Sequence, residues 1–228
     1  MEHYSFTETG AGHRKNHHEN QDRMLGISGE KGLVVCLCDG AGFSPYSAAA
    51  AQLVSQICTK RVYRELDRFF YLPDEQIKAR LECMILRALS RYARQCSIPP
   101  EQLAATFLLA AVTPEGRYLV THLGDGAAML HTGAENCYQL LSPPSNGLSW
   151  NTTFLTMNCR MRQYMRVYRS MQCQPREILL VTDGADHLLR PAPAQRTLPC
   201  PFDGPSIHRY LMAKKPEDDY SGILIRVP

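Results

Sequence analysis

Three apolar runs in the chain each end in an aspartate followed by a glycine, and this pattern constrains the fold more than any other feature. The runs are residues 34–40 (VVCLCDG), 119–126 (LVTHLGDG) and 178–184 (ILLVTDG). A short continuous apolar run is typical of a strand buried on both faces. A strand end is a rigid support, so its last residue can hold a carboxylate at a fixed point. The glycine allows the backbone to approach a ligand closely or to turn its carbonyl toward one.

Two explanations of these Asp-Gly pairs remain open at this stage. Asp-Gly is a common hairpin turn, and Asp125-Gly126 lies between two strand-like runs. Alternatively, the aspartates converge, together with Asp22 and the pair Asp218-Asp219. Converging carboxylates repel one another unless cations neutralise them, and hard divalent ions such as Mg²⁺ or Mn²⁺ prefer oxygen ligands.

The order of the predicted elements indicates an α+β fold in a single domain, residues 1–228. We predict helices over residues 44–70, with Ser44 as N-cap and Pro45 in the first turn, over residues 74–98, and over residues 207–213. Residues 10–20 and 191–205 read as loops. The predicted strands are residues 3–9, 24–27, 32–38, 103–113, 118–123, 127–131, 137–141, 154–157, 164–168, 177–182 and 222–227. This is not a regular βαβ alternation, so we expect antiparallel sheets with helices packed outside.

The cysteine content favours a reducing compartment. The chain has nine cysteines and no CxxC pair, which makes a zinc knuckle or ribbon a poor interpretation. Residues 1–15 have no apolar segment of the secretory type, and no run is long enough to span a membrane. The net charge of +3 is too small to indicate nucleic acid. We therefore expect a cytoplasmic monomer with no membrane or nucleic-acid partner.

The ordered motifs resemble the metal-dependent serine/threonine protein phosphatases of type 2C, the PPM family, and in particular its bacterial branch. The similarity extends over residues 4–227. The matching segments are Gly12-His13-Arg14-Lys15, Asn20-Gln21-Asp22, Cys38-Asp39-Gly40-Ala41-Gly42, Ala105-Thr106-Phe107, Gly124-Asp125-Gly126, Ser142-Pro143-Pro144, Asn146-Gly147, Asn151, Thr153-Phe154, Leu180-Val181-Thr182-Asp183-Gly184 and Asp218-Asp219-Tyr220-Ser221.

The resemblance implies a four-layer α-β-β-α sandwich, in which two antiparallel sheets pack together and helices cover the outer faces. It also implies a site for two Mn²⁺ or Mg²⁺ ions with a weaker third. Asp39 would bridge the two ions, and Gly40 would give its carbonyl to one of them. Asp183 and Asp219 would complete the other.

Further roles follow from the same resemblance. Asp22 would orient metal-bound water, and Asp125 would help to hold the third ion. Arg14 is the first choice for the residue that binds the substrate phosphate, with His13 and Lys15 as alternatives.

The activity implied is hydrolysis of phosphoserine and phosphothreonine in proteins by direct attack of a metal-bridging hydroxide. The partners implied are a phosphorylated protein and a cognate serine/threonine kinase. An alternative is a catalytically weak or inactive pseudophosphatase that acts as a regulatory protein-binding module. A third hypothesis is an unrelated metal-dependent nuclease or phosphodiesterase.

This sequence departs from the family pattern at three positions. Many members have histidine after the Asp-Gly, proposed to protonate the leaving alcohol, where this chain has Ala41. Gln21 replaces a common glutamate, and Tyr220 replaces the asparagine of the closing motif. We expect these differences to affect rate and metal affinity more than the fold.

A basic segment precedes the last of the three Asp-Gly runs. No acid occurs between residues 136 and 176, where arginines accumulate at positions 160, 162, 166, 169 and 176. Such a segment can steer phosphorylated substrates, contact nucleic acid, or protect a sheet edge with charge. We favour the sheet edge.

Overall fold

The computed structural model describes residues 1–133, 137–145, 155–157, 160–171, 175–190, 197–199 and 203–228. The strands are β1 (His3–Glu8), β2 (Arg23–Gly29), β3 (Gly32–Cys38), β4 (Phe107–Val112), β5 (Tyr118–Leu123), β6 (Ala127–His131), β7 (Cys137–Ser142), β8 (Arg166–Ser170), β9 (Glu177–Val181), β10 (Thr197–Pro199) and β11 (Tyr220–Arg226). The helices are α1 (Ala11–Lys15), α2 (Ser47–Arg64), α3 (Leu66–Tyr71), α4 (Asp74–Cys96), α5 (Met161–Tyr164), α6 (Asp183–Leu189) and α7 (Gly204–Lys214).

The described strands form two sheets, and every strand pair in them is antiparallel. One sheet has six strands in the order β1-β11-β9-β6-β7-β10. The other has five strands in the order β2-β3-β4-β5-β8. This arrangement confirms the α+β class and the antiparallel sheets predicted from the element order.

Three apolar cores separate four layers. The first lies between the two sheets and contains alternate residues such as Leu108, Val120 and Ile178. The second lies between the five-stranded sheet and helices α2, α3 and α4. The third lies between the six-stranded sheet and helices α6 and α7. Burial on both faces explains why β3, β4 and β5 read as continuous apolar runs.

Antiparallel pairing brings the acidic strand ends to one end of the sandwich. Arg23, the first residue of β2, lies opposite Cys38, the last residue of β3. In the other sheet, Gly222 and Ala127 both lie opposite Val181, at the end of β9. Residues just before β2 and β11, and just after β3, β5 and β9, therefore share this end.

Several predicted boundaries are wrong. The polar loop of residues 10–20 contains the short helix α1, and the predicted helix over residues 44–70 is two helices that break at Glu65. Ser44 and Pro45 precede α2, which begins only at Ser47. The strand predicted over residues 103–113 begins at Phe107.

Three predictions in the second half of the chain also fail. Tyr164 ends helix α5, so the next strand begins later than expected. The described part of residues 154–157 is a turn, and the described part of residues 191–205 contains β10 and the start of α7. Asn146, Gly147, Asn151, Thr153 and Phe154, part of the family resemblance, lie outside the described residues.

Within the described ranges, no helix has both the length and the apolar character needed to cross a bilayer.

Candidate metal centre

Three carboxylates meet at the acidic end of the sandwich. Asp39, Asp125 and Asp183 each offer an oxygen, and these oxygens lie within 4.8 Å of one another. They are the three aspartates that end the apolar runs in the sequence. All three are partly exposed and line one cavity of about 280 Å³. Convergent, accessible carboxylate oxygens are a suitable ligand set for a hard divalent cation.

The backbone of Asp39 is fixed by Thr106, the residue just before strand β4. Its amide donates to Thr106 Oγ1 at 2.9 Å, and its carbonyl accepts from the Thr106 amide at 2.7 Å. The next residue, Gly40, packs directly on helix α2: a Cβ here would lie 2.8 Å from the Ser47 carbonyl carbon. The glycine therefore allows the strand end and the helix to meet.

Asp183 begins helix α6 directly after β9. Its Oδ1 accepts a hydrogen bond from the Gly184 amide at 2.7 Å. A Cβ on Gly184 would lie 2.2 Å from the carbonyl oxygen of Asp219. Close packing against protein, rather than against a ligand, thus accounts for this second glycine.

Asp125 lies on a connection between the sheets. Strand β5 belongs to the five-stranded sheet and β6 to the six-stranded sheet, and residues 124–126 join them. The hairpin explanation of Asp125-Gly126 is therefore wrong. The sequence could not reveal this, because a crossing and a hairpin look alike between two strand-like runs.

Burial and mutual repulsion favour the protonated forms of these carboxyls. Exclusion of water raises the pKa of Asp39 well above its usual range, and the charges of Asp22, Asp183 and Asp125 raise it further. Burial, followed by the charges of Asp125 and Asp218, raises the pKa of Asp183 to about 6. A bound cation would relieve both effects. The donor set and its electrostatics therefore fit a divalent ion.

Asp22 lies next to Asp39 and is almost fully buried. Its Oδ2 accepts a hydrogen bond from Thr182 Oγ1 at 3.1 Å. Its Oδ1 has no hydrogen-bond partner among the described residues. Burial, followed by repulsion from Asp219 and Asp183, raises the pKa of Asp22 to about 7. No sequence signal identified Thr182 as the residue that holds this carboxyl.

Asp219 is not part of the group of three. Its Oδ1 accepts from the Gly10 amide at 2.9 Å, and its Oδ2 accepts from the Gln21 amide at 2.7 Å. His13 Nδ1 lies 2.9 Å from the same Oδ2. These contacts attach the segment before β2 to the start of β11. Its role as a metal ligand remains a prediction.

Asp218 is the member of the acidic pair that faces the cavity. Its side chain is 61% exposed, and it lines the cavity with Asp183. Asp218 belongs to the predicted acidic pair, but the family resemblance assigns it no role. An Asp-Asp pair does not reveal which carboxylate points inward, because successive residues of an extended segment face opposite ways.

The basic residues predicted to bind phosphate separate in the structure. His13 lines the acidic cavity, together with Gly40, Gln21 and Ala41. Arg14 instead lines a neighbouring cavity of about 360 Å³, and its Nε donates to the Thr9 carbonyl at 2.7 Å.

Lys15 is the last residue of α1 and is exposed. Of the three basic candidates, only His13 lines the cavity that holds the three carboxylates.

The described part of the basic segment is occupied by internal contacts. Arg169 lies 3.0 Å from Asp74 and donates to the Leu72 carbonyl at 2.7 Å. Arg166 Nη2 lies 2.8 Å from His122 Nδ1. Both arginines lie on β8, the edge strand of the five-stranded sheet. The contacts support the sheet-edge interpretation.

Comparison with known proteins identifies a family model and related structures. The model described as protein phosphatase 2C matches residues 9–204. No curated protein matches the chain by sequence.

Three solved structures illustrate the likeness in fold. The serine/threonine phosphatase Stp1 from Staphylococcus aureus has a TM-score of 0.69 and 15% identity, and the match covers 100% of this chain and 95% of that chain. The PPM Ser-Thr phosphatase MsPP from Mycobacterium smegmatis, in complex with cacodylate, has a TM-score of 0.64 and 15% identity, with 100% and 99% covered. RsbX in complex with magnesium has a TM-score of 0.61 and 13% identity, with 99% and 94% covered.

Proposed function

The chain belongs to the protein phosphatase 2C family, as its ordered motifs predicted, and on that basis we propose that it hydrolyses phosphoserine and phosphothreonine in proteins with the help of Mn²⁺ or Mg²⁺. The observation that carries the proposal is the meeting of Asp39, Asp125 and Asp183 within 4.8 Å in an open cavity. A hydrolase of this type needs no nucleophilic side chain. The buried thiols of the chain then need no catalytic role.

We assign the following roles to the residues of the site. Asp39, Asp125 and Asp183 would hold the cations, with the Gly40 carbonyl as a further oxygen ligand. When bound, the cations would lower the pKa of a water molecule and offset the charge of the phosphoryl oxygens.

Asp22, next to Asp39, would position water at this group. Its buried Oδ1 is without a hydrogen-bond partner among the described residues, so it can accept a hydrogen bond from water. The Thr182 hydroxyl fixes the orientation of the carboxyl by donating to its other oxygen.

We further propose a cytoplasmic monomer that acts on phosphorylated proteins, including products of a cognate serine/threonine kinase. The free thiols of Cys36, Cys38, Cys58, Cys83 and Cys96 support a reducing compartment.

A regulatory pseudophosphatase is the second candidate function. Asp219 favours it, because two backbone amides and His13 already occupy the carboxylate that the family resemblance assigns to a metal. Ala41, which cannot donate a proton, points in the same direction.

Phosphate release from a phosphothreonine peptide tests the proposal. We expect release with Mn²⁺ or Mg²⁺ and none with excess chelator. Asp39→Asn and Asp183→Asn should each lower the rate by at least about a hundredfold while far-UV circular dichroism stays unchanged, because each removes an anionic ligand. Glu30→Gln, an exposed acid between β2 and β3, is the matched control and should keep the wild-type rate.

Two results would decide against the proposal. Release that survives full chelation would exclude the metal-dependent mechanism. A folded, metal-loaded wild-type protein that releases no phosphate would favour the pseudophosphatase.

A further inference from the structure

A well-anchored loop presents one aromatic side chain at the rim of the acidic cavity. The loop covers residues 41–46, between Gly40 and helix α2. The Ala41 amide donates to the Ala104 carbonyl at 3.0 Å, and the Ser44 amide donates to the Ala41 carbonyl at 2.8 Å. The buried Ser44 hydroxyl donates to the Gln102 carbonyl. The side chain of Phe43, between these anchors, is 77% exposed.

The hydrogen bonds on either side of Phe43 fix the loop in the conformation that exposes its side chain. A phenyl ring held in water forgoes the stabilisation of burial, on the order of 2 kcal/mol for a fully buried ring. Aromatic residues, phenylalanine among them, are enriched where protein surfaces bind a partner.

Phe43 shares its cavity with the carboxylates. Phe43 and Leu155 are the large apolar residues among the described residues of the lining, which also includes Asp39, Asp183 and Asp218. The cavity thus combines a site suited to cations and phosphate with an apolar wall. An extended peptide advances about 3.3 to 3.6 Å per residue. The neighbour of a residue bound at the carboxylates would therefore still lie within or beside the cavity that Phe43 lines.

We propose that Phe43 is a specificity-determining residue, which packs against a large apolar side chain next to the phosphorylated serine or threonine of the substrate. This inference rests on the proposed function and names the substrate class. The exposed carboxylate of Asp218 in the same cavity would repel an acidic neighbour. The preferred substrates are phosphorylated segments with leucine, isoleucine, methionine or phenylalanine beside the phosphorylated residue.

The test compares two phosphothreonine peptides that differ only in the flanking residues, leucine in one and serine in the other. With Mn²⁺ present, we measure kcat/KM for each and the Kd of each by fluorescence anisotropy. For the wild-type protein, we expect a preference of about tenfold for the leucine peptide. In Phe43→Ser, this ratio should fall to about one, whereas Phe43→Leu should keep most of it.

Tyr71→Ser is the matched control. Tyr71 is an aromatic residue with a similar exposure of 73%, at the end of helix α3 and outside the lining of the cavity. Its loss should leave the leucine-to-serine ratio unchanged. Both substitutions are at the surface, so neither should affect folding.

The outcomes separate this inference from the proposed function. If both peptides are hydrolysed at equal rates, or if Phe43→Ser keeps the wild-type ratio, Phe43 does not set specificity and the phosphatase assignment stands. If no peptide is hydrolysed but the leucine peptide binds more tightly and Phe43→Ser removes that difference, the recognition role stands and the activity is excluded. Absence of both hydrolysis and binding would overturn both.

Discussion

At the scale of single residues, Asp22 and Asp183 have pKa values of about 7 and about 6, against an ordinary value of 3.8. Burial is the main cause for both, and neighbouring carboxylates add to it. Between pH 3.8 and about 7, the unfolded chain loses protons that the folded chain keeps. The folded state then binds more protons, so its stability falls as pH rises through this window.

We therefore predict that the metal-free protein is less stable at pH 8 than at pH 5, by about 2 kcal/mol in the free energy of unfolding. Buried His122 opposes this trend, because burial lowers its pKa and the folded state then loses stability toward pH 5. Mg²⁺ or Mn²⁺ should restore stability, and more so at pH 8, because protons compete with cations for the same oxygens. Urea unfolding with chelator or with metal measures both effects. Asp22→Asn is the control and should reduce the dependence, because Asp183 still contributes. Equal or greater stability of the metal-free protein at pH 8 would contradict the prediction.

At the scale of elements, helix α6 meets the start of strand β11 through Gly184. We predict that Gly184→Ala destabilises the protein by about 1 to 3 kcal/mol, because its Cβ would lie 2.2 Å from the Asp219 carbonyl oxygen. The helix must move, so the protein should also bind Mn²⁺ more weakly.

Gly42→Ala provides the matched control for this substitution. A Cβ there would meet only Gln21 Oε1, at 3.9 Å. Chemical unfolding should give a change within about 0.5 kcal/mol of the wild type. Equal effects of the two substitutions would show that contact with β11 is not the cause.

The sequence predicted the strands better than it predicted the short helix α1 and the contacts of that helix with distant segments. Strands β3, β5 and β9 are recognisable in the sequence as continuous apolar runs, because strands buried on both faces do not alternate with polar residues. Helix α1 was missed because its five residues, AGHRK, carry no apolar periodicity, and none of them is buried. Its amides at Ala11 and Gly12 donate instead to the carbonyls of Pro216 and Glu217, a long-range contact that no local pattern reveals.

In the candidate site, too, some features could be predicted from the local sequence and others could not. Asp39, Asp125 and Asp183 follow recognisable strands, so their convergence was predictable once the sheets were assumed. The orientation of Asp218 and Asp219, and the separation of His13 from Arg14, depend on which backbone amides the neighbouring segment offers. Those contacts are tertiary, so the local sequence carries no signal for them.

For the whole molecule, the core between the two sheets joins the two halves, each of which is one sheet with its own helices. We predict that the chain unfolds in one cooperative transition and elutes as a monomer of 25.7 kDa. Unfolding followed by far-UV and near-UV circular dichroism should give coincident curves, and light scattering should give the monomer mass. Two separated transitions would contradict the single domain, and a doubled mass would contradict the monomer.

The position of Asp125 on the link between the sheets has one more consequence. Asp39 follows a strand of the five-stranded sheet, and Asp183 follows a strand of the six-stranded sheet. Asp125 lies on the segment that connects the two sheets. An ion bound by all three aspartates would link the two sheets at this end. Separation of the sheets here would then release the ion, and loss of the ion would make their separation easier.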